Sequence, residues 1–245
     1  QRRGRQEGLK TSDILSHLPP AAMRFSQAVE RLAAGFCDAA GSKQSIAKKQ
    51  SSKRQDVQCS GRRRPLPRRP RIQIHRKMKI LLAGQKWFGA EVFRELRKHP
   101  EVSIAAVCSP VSGEREDKLT AQAKLWRVPV IPSGTLKAAT MPDGVDLIVA
   151  AHSHDFISEK TRLRATHGGI GYHPSLLPVH RGRDAVRWTI RMGDKITGGS
   201  VYRLSNQMDG GNIIVQRHVF VRPGDTTQTL WRDLLGPLGV ELLTH

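Results

Sequence analysis

Two segments of this chain carry residue types and spacing suited to acid–base chemistry. The first is Gly171-Tyr172-His173-Pro174-Ser175-Leu176-Leu177-Pro178-Val179-His180-Arg181-Gly182. It sets an imidazole directly before a proline-bearing stretch, and residues that precede proline avoid the helical region, so the chain beyond His173 is held extended. The second is Met208-Asp209-Gly210-Gly211, where two glycines after an acid permit a tight, exposed turn. Brought together, an imidazole and a carboxylate make an acid–base pair. The ring moves a proton, and the carboxylate orients water or favours the charged ring. Taken singly, both signals are weak: a histidine at a strand end is common, and an Asp-Gly-Gly loop also serves as an ordinary hairpin turn.

Such a pair needs elements that deliver it. From Met78 onward, short apolar runs at 80–83, 102–108, 128–131, 147–151 and 169–172 read as strands. Between them, helical patterns occupy 90–98, 118–126 and 158–164. Strands alternating with helices, with apolar runs fit for burial on both faces, predict an α/β fold with a doubly wound, mostly parallel, Rossmann-like sheet. In such sheets ligands bind at the carboxyl ends of the strands, and His173 falls at one of those ends. Past a helix at 185–192, residues 199–204 and 213–221 alternate like an antiparallel pair, and 205–212, which holds Asp209, links them. The stretch 227–243 reads as helix interrupted at Gly236-Pro237.

Other polar groups fall near the same edge. His152, Ser153, His154 and Asp155 follow the strand that ends at Ala151. Two histidines and an acid suggest a metal, but no third spaced ligand accompanies them, so a metal site is not expected. Gly84-Gln85-Lys86-Trp87-Phe88-Gly89 joins the first strand to the first helix; it is neither G-x-G-x-x-G nor a phosphate loop, and reads as a turn with a hydrophobic plug. Trp188 and Trp231 read as packing residues, and His180 as a loop brace. Arg181 and Arg183 read equally well as solvated loop arginines or as contacts to an acidic ligand.

The run His-Pro-Ser-Leu-Leu-Pro-Val-His-Arg-Gly, followed by Trp188, Gly193-Asp194, Gly198 and Asp209-Gly210-Gly211, resembles the signature of the folate-dependent formyltransferases. The resemblance spans Met78 to about Leu243. It extends to methionyl-tRNA and glycinamide ribonucleotide formyltransferases, and is strongest to the hydrolase domain of 10-formyltetrahydrofolate dehydrogenase, through Tyr172–Pro178 and Gly84-Gln85 with Phe88-Gly89 and Glu91-Val92. It implies a formyltransferase fold and one-carbon chemistry. The co-substrate would be 10-formyltetrahydrofolate, and the acceptor water or an amine of a nucleotide, sugar or methionyl-tRNA. It implies His173 and Asp209 as catalytic. Ala151, His152, Ser153, His154, Asp155, Leu204 and Met208 would line the folate, and Ser175, Leu177, Pro178, Arg181 and Gly182 would form the substrate loop. One position departs from the pattern. Most members carry Asn two residues before the histidine, and here stands Gly171, which offers only backbone; a non-catalytic folate-binding module is the alternative that this favours.

Charge is unevenly spread. The chain has 41 Lys and Arg against 21 Asp and Glu, a net of +20. Residues 1–77 hold 19 basic and 5 acidic residues, so 19 − 5 = +14 of that excess lies there. This region is predicted to be a disordered basic extension, with a short block at 62–71 and a marginal amphipathic helix within 21–40. Three readings of it stay open: a nucleic-acid-binding arm, which lacks Trp or Tyr for stacking; a targeting segment; and residues upstream of a natural start at Met78. Nucleic acid is therefore expected as a partner only through this extension. Because the tRNA-specific members continue into a further domain, an end at His245 argues against tRNA as substrate. Cys37, Cys59 and Cys108 are widely separated, which fits a reducing compartment, and no apolar run reaches the ~18 residues of a membrane span. The expectation is a soluble, cytoplasmic protein with domains at 1–77 and 78–245.

Overall fold

The computed structural model describes residues 76–111 and 115–245. The expected basic extension, its helix and its Arg-rich block lie outside the described residues. Seven strands form one sheet in the order β3-β2-β1-β4-β5-β6-β7. They are β1 (Met78–Gly84), β2 (Val102–Ser109), β3 (Val130–Pro132), β4 (Leu147–Ala151), β5 (Gly169–His173), β6 (Ile196–Arg203) and β7 (Ile213–Phe220). Strands β1 to β5 pair in parallel, while β5–β6 and β6–β7 pair antiparallel. The sheet direction reverses at β5, the strand that ends in His173.

Alternation along β1 builds two cores. Ile80 and Leu82 face one side, and Leu81 and Ala83 the other; all four are fully buried. The first face is covered by α1 (Lys86–Lys98), α2 (Lys118–Leu125) and a C-terminal helix, through Phe88, Phe93, Leu96, Leu119 and Leu243. Each such large side chain, once buried, contributes about 1.5–3 kcal/mol. The second face is covered mainly by irregular chain bearing Leu136, Met141 and Val145, and by the segment around the four-residue α3 (Glu159–Arg162). The sheet is thus wound on both sides, with unequal layers.

Helix α1 begins at Lys86, earlier than its apolar periodicity indicates. Asp117 accepts the Lys86 backbone N–H at 2.7 Å, and Phe88 is already buried in the first turn, packed 5.4 Å from the Tyr172 ring. Helix α4 (Ala185–Met192) ends where predicted, at Gly193 with φ +68°, a left-handed cap that suits glycine. The expected break at Gly236-Pro237 takes another form. Between α5 (Thr227–Leu230) and α6 (Gly236–Thr244) lies a π-helical turn, Trp231–Leu235. Proline has no N–H to continue the α-helical ladder, and the widened turn, in which the Gly236 N–H reaches the Trp231 carbonyl, carries the chain past it.

Candidate active site

The carboxyl ends of β1, β4 and β5 lie side by side, with Gly84 registered against Ala151 and Ala150 against Gly171. The strand order reverses between β1 and β4, which makes this edge the crevice where ligands settle in open α/β sheets. The strands approach closely here: a Cβ on Gly84 would stand 2.3 Å from the Ala151 carbonyl oxygen.

His173 is buried at the end of β5, 6% exposed. Its Nε2 lies 2.8 Å from the carbonyl oxygen of His180, and its Nδ1 lies 3.4 Å from Oδ2 of Asp209. A carbonyl only accepts, so the Nε2 proton is fixed and Nδ1 is the nitrogen free to take or give one. Asp209 is held at both oxygens: the Gly182 N–H donates to Oδ2 at 2.8 Å, and the Tyr202 hydroxyl donates to Oδ1 at 2.6 Å. Asp209 has φ +48°, a left-handed conformation that Asp tolerates better than most residues. Gly211 lets the loop close against β6, for a Cβ there would fall 1.7 Å from the Arg203 carbonyl oxygen.

The loop after His173 is buckled to the sheet. Ser200, the cross-strand partner of His173, donates to the Ser175 carbonyl at 2.6 Å and accepts from the Leu177 N–H at 3.0 Å. Gln216 reaches both Ser200 and the Leu177 carbonyl, and the Ser175 hydroxyl donates to the Val179 carbonyl. Pro178 follows a cis peptide bond. His180 is indeed a brace: its ring pairs with Asp194 at 2.6 Å, which steadies the carbonyl that receives His173. Arg181 donates to the Met208 carbonyl at 2.6 Å and so ties this loop to the one carrying Asp209. Arg183 is exposed.

The segment after β4 divides in two. His152 has φ +61°, and its ring lies edge-on to His154 and to Trp231, at 5.5 and 6.2 Å. Burial, then the charge of Lys86 and then His154, hold its pKa below the usual 6.5, with Asp117 opposing. Asp155 works as a clasp: it accepts from Ser133 at 2.7 Å, from the Gly134 N–H at 2.8 Å and from the Cys108 thiol at 3.1 Å. Burial, reinforced by Asp155, pushes the Cys108 thiol upward, so it stays protonated. Leu204 is half-buried across Gly169 and Gly171, while Phe156 and Met208 leave large apolar surfaces open, 71% and 66% exposed. Among the described residues no cluster of three or more metal-ligating side chains forms, and no helix is long and apolar enough to cross a membrane.

The structure therefore brings together His173, Asp209, Gly182 and, through Met208, Arg181. It adds Tyr202, Ser200 and Gln216, which sequence reasoning missed, and gives Asp194, named in sequence only as part of the Gly193-Asp194 motif, a partner in His180. Alternation in β6 places Ser200 and Tyr202 on one face, but only the β5–β6 register shows that this face is the one bearing His173.

Comparison with known proteins agrees with this architecture. The formyl transferase family profile matches residues 77–237. Cytosolic 10-formyltetrahydrofolate dehydrogenase of Xenopus laevis is 36% identical over 174 residues, covering 67% of this chain and 19% of that protein. The chain thus spans about a fifth of the length of this relative. Methionyl-tRNA formyltransferase of Anaeromyxobacter sp. (strain K) is 33% identical over 179 residues, covering 69% of this chain and 57% of that one. Among solved structures, phosphoribosylglycinamide formyltransferase from Bacillus halodurans superposes with a TM-score of 0.57 at 21% identity, covering 68% of this chain and 91% of that chain, and so shares the fold. On the match that runs through both loops of the site, the chain belongs to the formyl transferase family.

Proposed function

We propose that this chain takes the formyl group of 10-formyltetrahydrofolate and passes it to water or to an amine, with His173 and Asp209 as its catalytic pair. The observation that carries the reading is the 3.4 Å approach of His173 Nδ1 to Asp209 Oδ2 at the sheet edge. Family membership supports it, as do relatives named for 10-formyltetrahydrofolate and for formyl transfer to methionyl-tRNA.

The donor supplies an electrophilic formyl carbon on nitrogen. Attack and departure each require a proton to move, one off the water or amine and one onto the folate nitrogen. With Nε2 committed to the His180 carbonyl, Nδ1 of His173 performs both transfers. Asp209 stands beside the ring as it gains charge, and general acid–base catalysis of this kind contributes about 10²- to 10⁴-fold. The chain also has surfaces that suit a flat aromatic ligand. Leu204, Met208 and the Ala151, His152, Ser153, His154 loop with Phe156 would contact the pterin. Asp155 would shape that loop from behind, and Ser175, Leu177, Pro178, Arg181 and Gly182 would form the floor nearest the acceptor. The three scattered cysteines suit a reducing compartment, and we place the protein in the cytoplasm, in one-carbon metabolism.

The test is to mix the purified full chain with 10-formyltetrahydrofolate and follow tetrahydrofolate release, alone and with nucleotide, amino-sugar or methionyl-tRNA acceptors. Release supports the proposal and its acceptor dependence separates hydrolysis from transfer. Saturable folate binding without release would instead mark a non-catalytic module.

A further inference from the structure

We infer that Tyr202 is a positioning residue for Asp209, acting as a unit with Gly171; this rests on the reading of His173 and Asp209 as the reacting pair. Gly171 and Tyr202 are direct cross-strand partners on β5 and β6. Paired residues share a face, and side chains two apart on a strand do too, so Tyr202 lies on the face of His173. The phenol occupies that face because position 171 has no side chain. A Cβ on Gly171 would meet the Tyr202 hydroxyl and Cζ at 3.3 Å and a Leu204 methyl at 3.1 Å, tighter than side chains ordinarily approach. The missing side chain at 171 is thus matched by a ring laid over it.

The hydroxyl at the end of that ring donates to Asp209 Oδ1 at 2.6 Å, and Tyr202 is only 8% exposed. Burial, then the hydrogen bond to Asp209 and its charge, raise the Tyr202 pKa, so the group keeps its proton and can only donate to the carboxylate. The Gly182 N–H holds the other oxygen. Two neutral donors from separate elements therefore fix the carboxylate plane, and that plane sets how Oδ2 meets His173 Nδ1. Asp209 lies on a loop at positive φ, and these two bonds fix the turn of its carboxylate about that backbone.

The experiment compares the full-length wild type with Tyr202→Phe, which keeps the ring and removes the hydroxyl, and with Gly171→Ala, which crowds the ring. Expected for Tyr202→Phe is a fall in kcat of about 10- to 100-fold, the range of a hydrogen bond to a charged group, with KM for the folate within about twofold and a melting temperature lowered by a few degrees, as the loss of one buried donor entails. Gly171→Ala should lower kcat similarly, and the double variant should fall no further, as expected when two residues act through one contact. Amide exchange at Gly182, whose N–H rests on Asp209, is the readout that needs no turnover; it should quicken in Tyr202→Phe. An inactive wild type with quickened exchange in the variant would sink the formyl-transfer reading and leave the positioning role standing. An active wild type with unaltered kcat in Tyr202→Phe, or unaltered Gly182 exchange, would overturn the role of Tyr202.

Discussion

The carbonyl oxygen of His180 stands 2.8 Å from Nε2 of His173, and it decides which ring nitrogen is available. When neutral, His173 is expected to be the Nε2–H tautomer. Nitrogen-15 shifts of the imidazole will show this directly, and a neutral Nδ1–H form would mean that the proton is moved from the other nitrogen.

Replacing either partner of the pair isolates its chemistry. His173→Ala and Asp209→Ala are each expected to lower turnover by about 10²-fold or more while folate binding persists, because general acid–base groups act mainly in the transition state. Measuring kcat beside the folate dissociation constant checks this. Circular dichroism should show both variants folded, and activity retained in either would remove that residue from the mechanism.

Asp194 touches no reacting group, yet its 2.6 Å contact to His180 steadies the carbonyl that fixes His173. Asp194→Ala should therefore reduce kcat by roughly 10- to 100-fold, since small misplacements of catalytic groups have effects of that order. KM should move little. Unchanged kcat would show that the loop holds its shape without this contact.

His152 links the site to acid stability. Its folded pKa lies below 6.5, so the unfolded chain binds the proton more readily. Its contribution to stability is complete above about pH 6.5 and declines as pH falls through the folded value. Denaturant midpoints of wild type and His152→Gln, followed from pH 7.5 to 5, should diverge on this limb, with the wild type losing more. Parallel curves would mean that the imidazole titrates as freely in the fold as out of it.

Gly84 tests the meeting of β1 and β4. A methyl group there would sit 2.3 Å from the Ala151 carbonyl, so the strands must part. Gly84→Ala is expected to lower stability by about 1–3 kcal/mol, the usual range for overpacking, and to lower activity because His152 follows directly. A melting temperature equal to wild type would show slack at the strand ends.

Much of this was legible in the chain. The boundaries of β4 and α4 follow from an apolar run between Asp146 and His152 and from Gly193 as a stop, both local signals. The partnership of His173 with Asp209 came from spacing that resembles a family, and the geometry places the two within reach. Tyr202 and Ser200 were invisible because antiparallel register is a long-range property: a shift of one residue would turn both away. Arg181 reads in sequence equally well as a solvated arginine or as a contact to an acidic ligand, and only the folded loops show that it donates to the Met208 carbonyl. The early start of α1 depends on Asp117, a residue from a different loop, capping Lys86.

The unequal layers over the sheet carry a consequence of their own. The side beneath α1 and α2 is sealed by whole helical turns, whereas the side bearing Leu136, Met141 and Val145 rests on chain with few backbone hydrogen bonds of its own. Brief excursions from the native state will begin on that weaker side, which also holds the clasp at Asp155. Amide exchange is therefore expected to run faster through 134–145 than through α1 and α2.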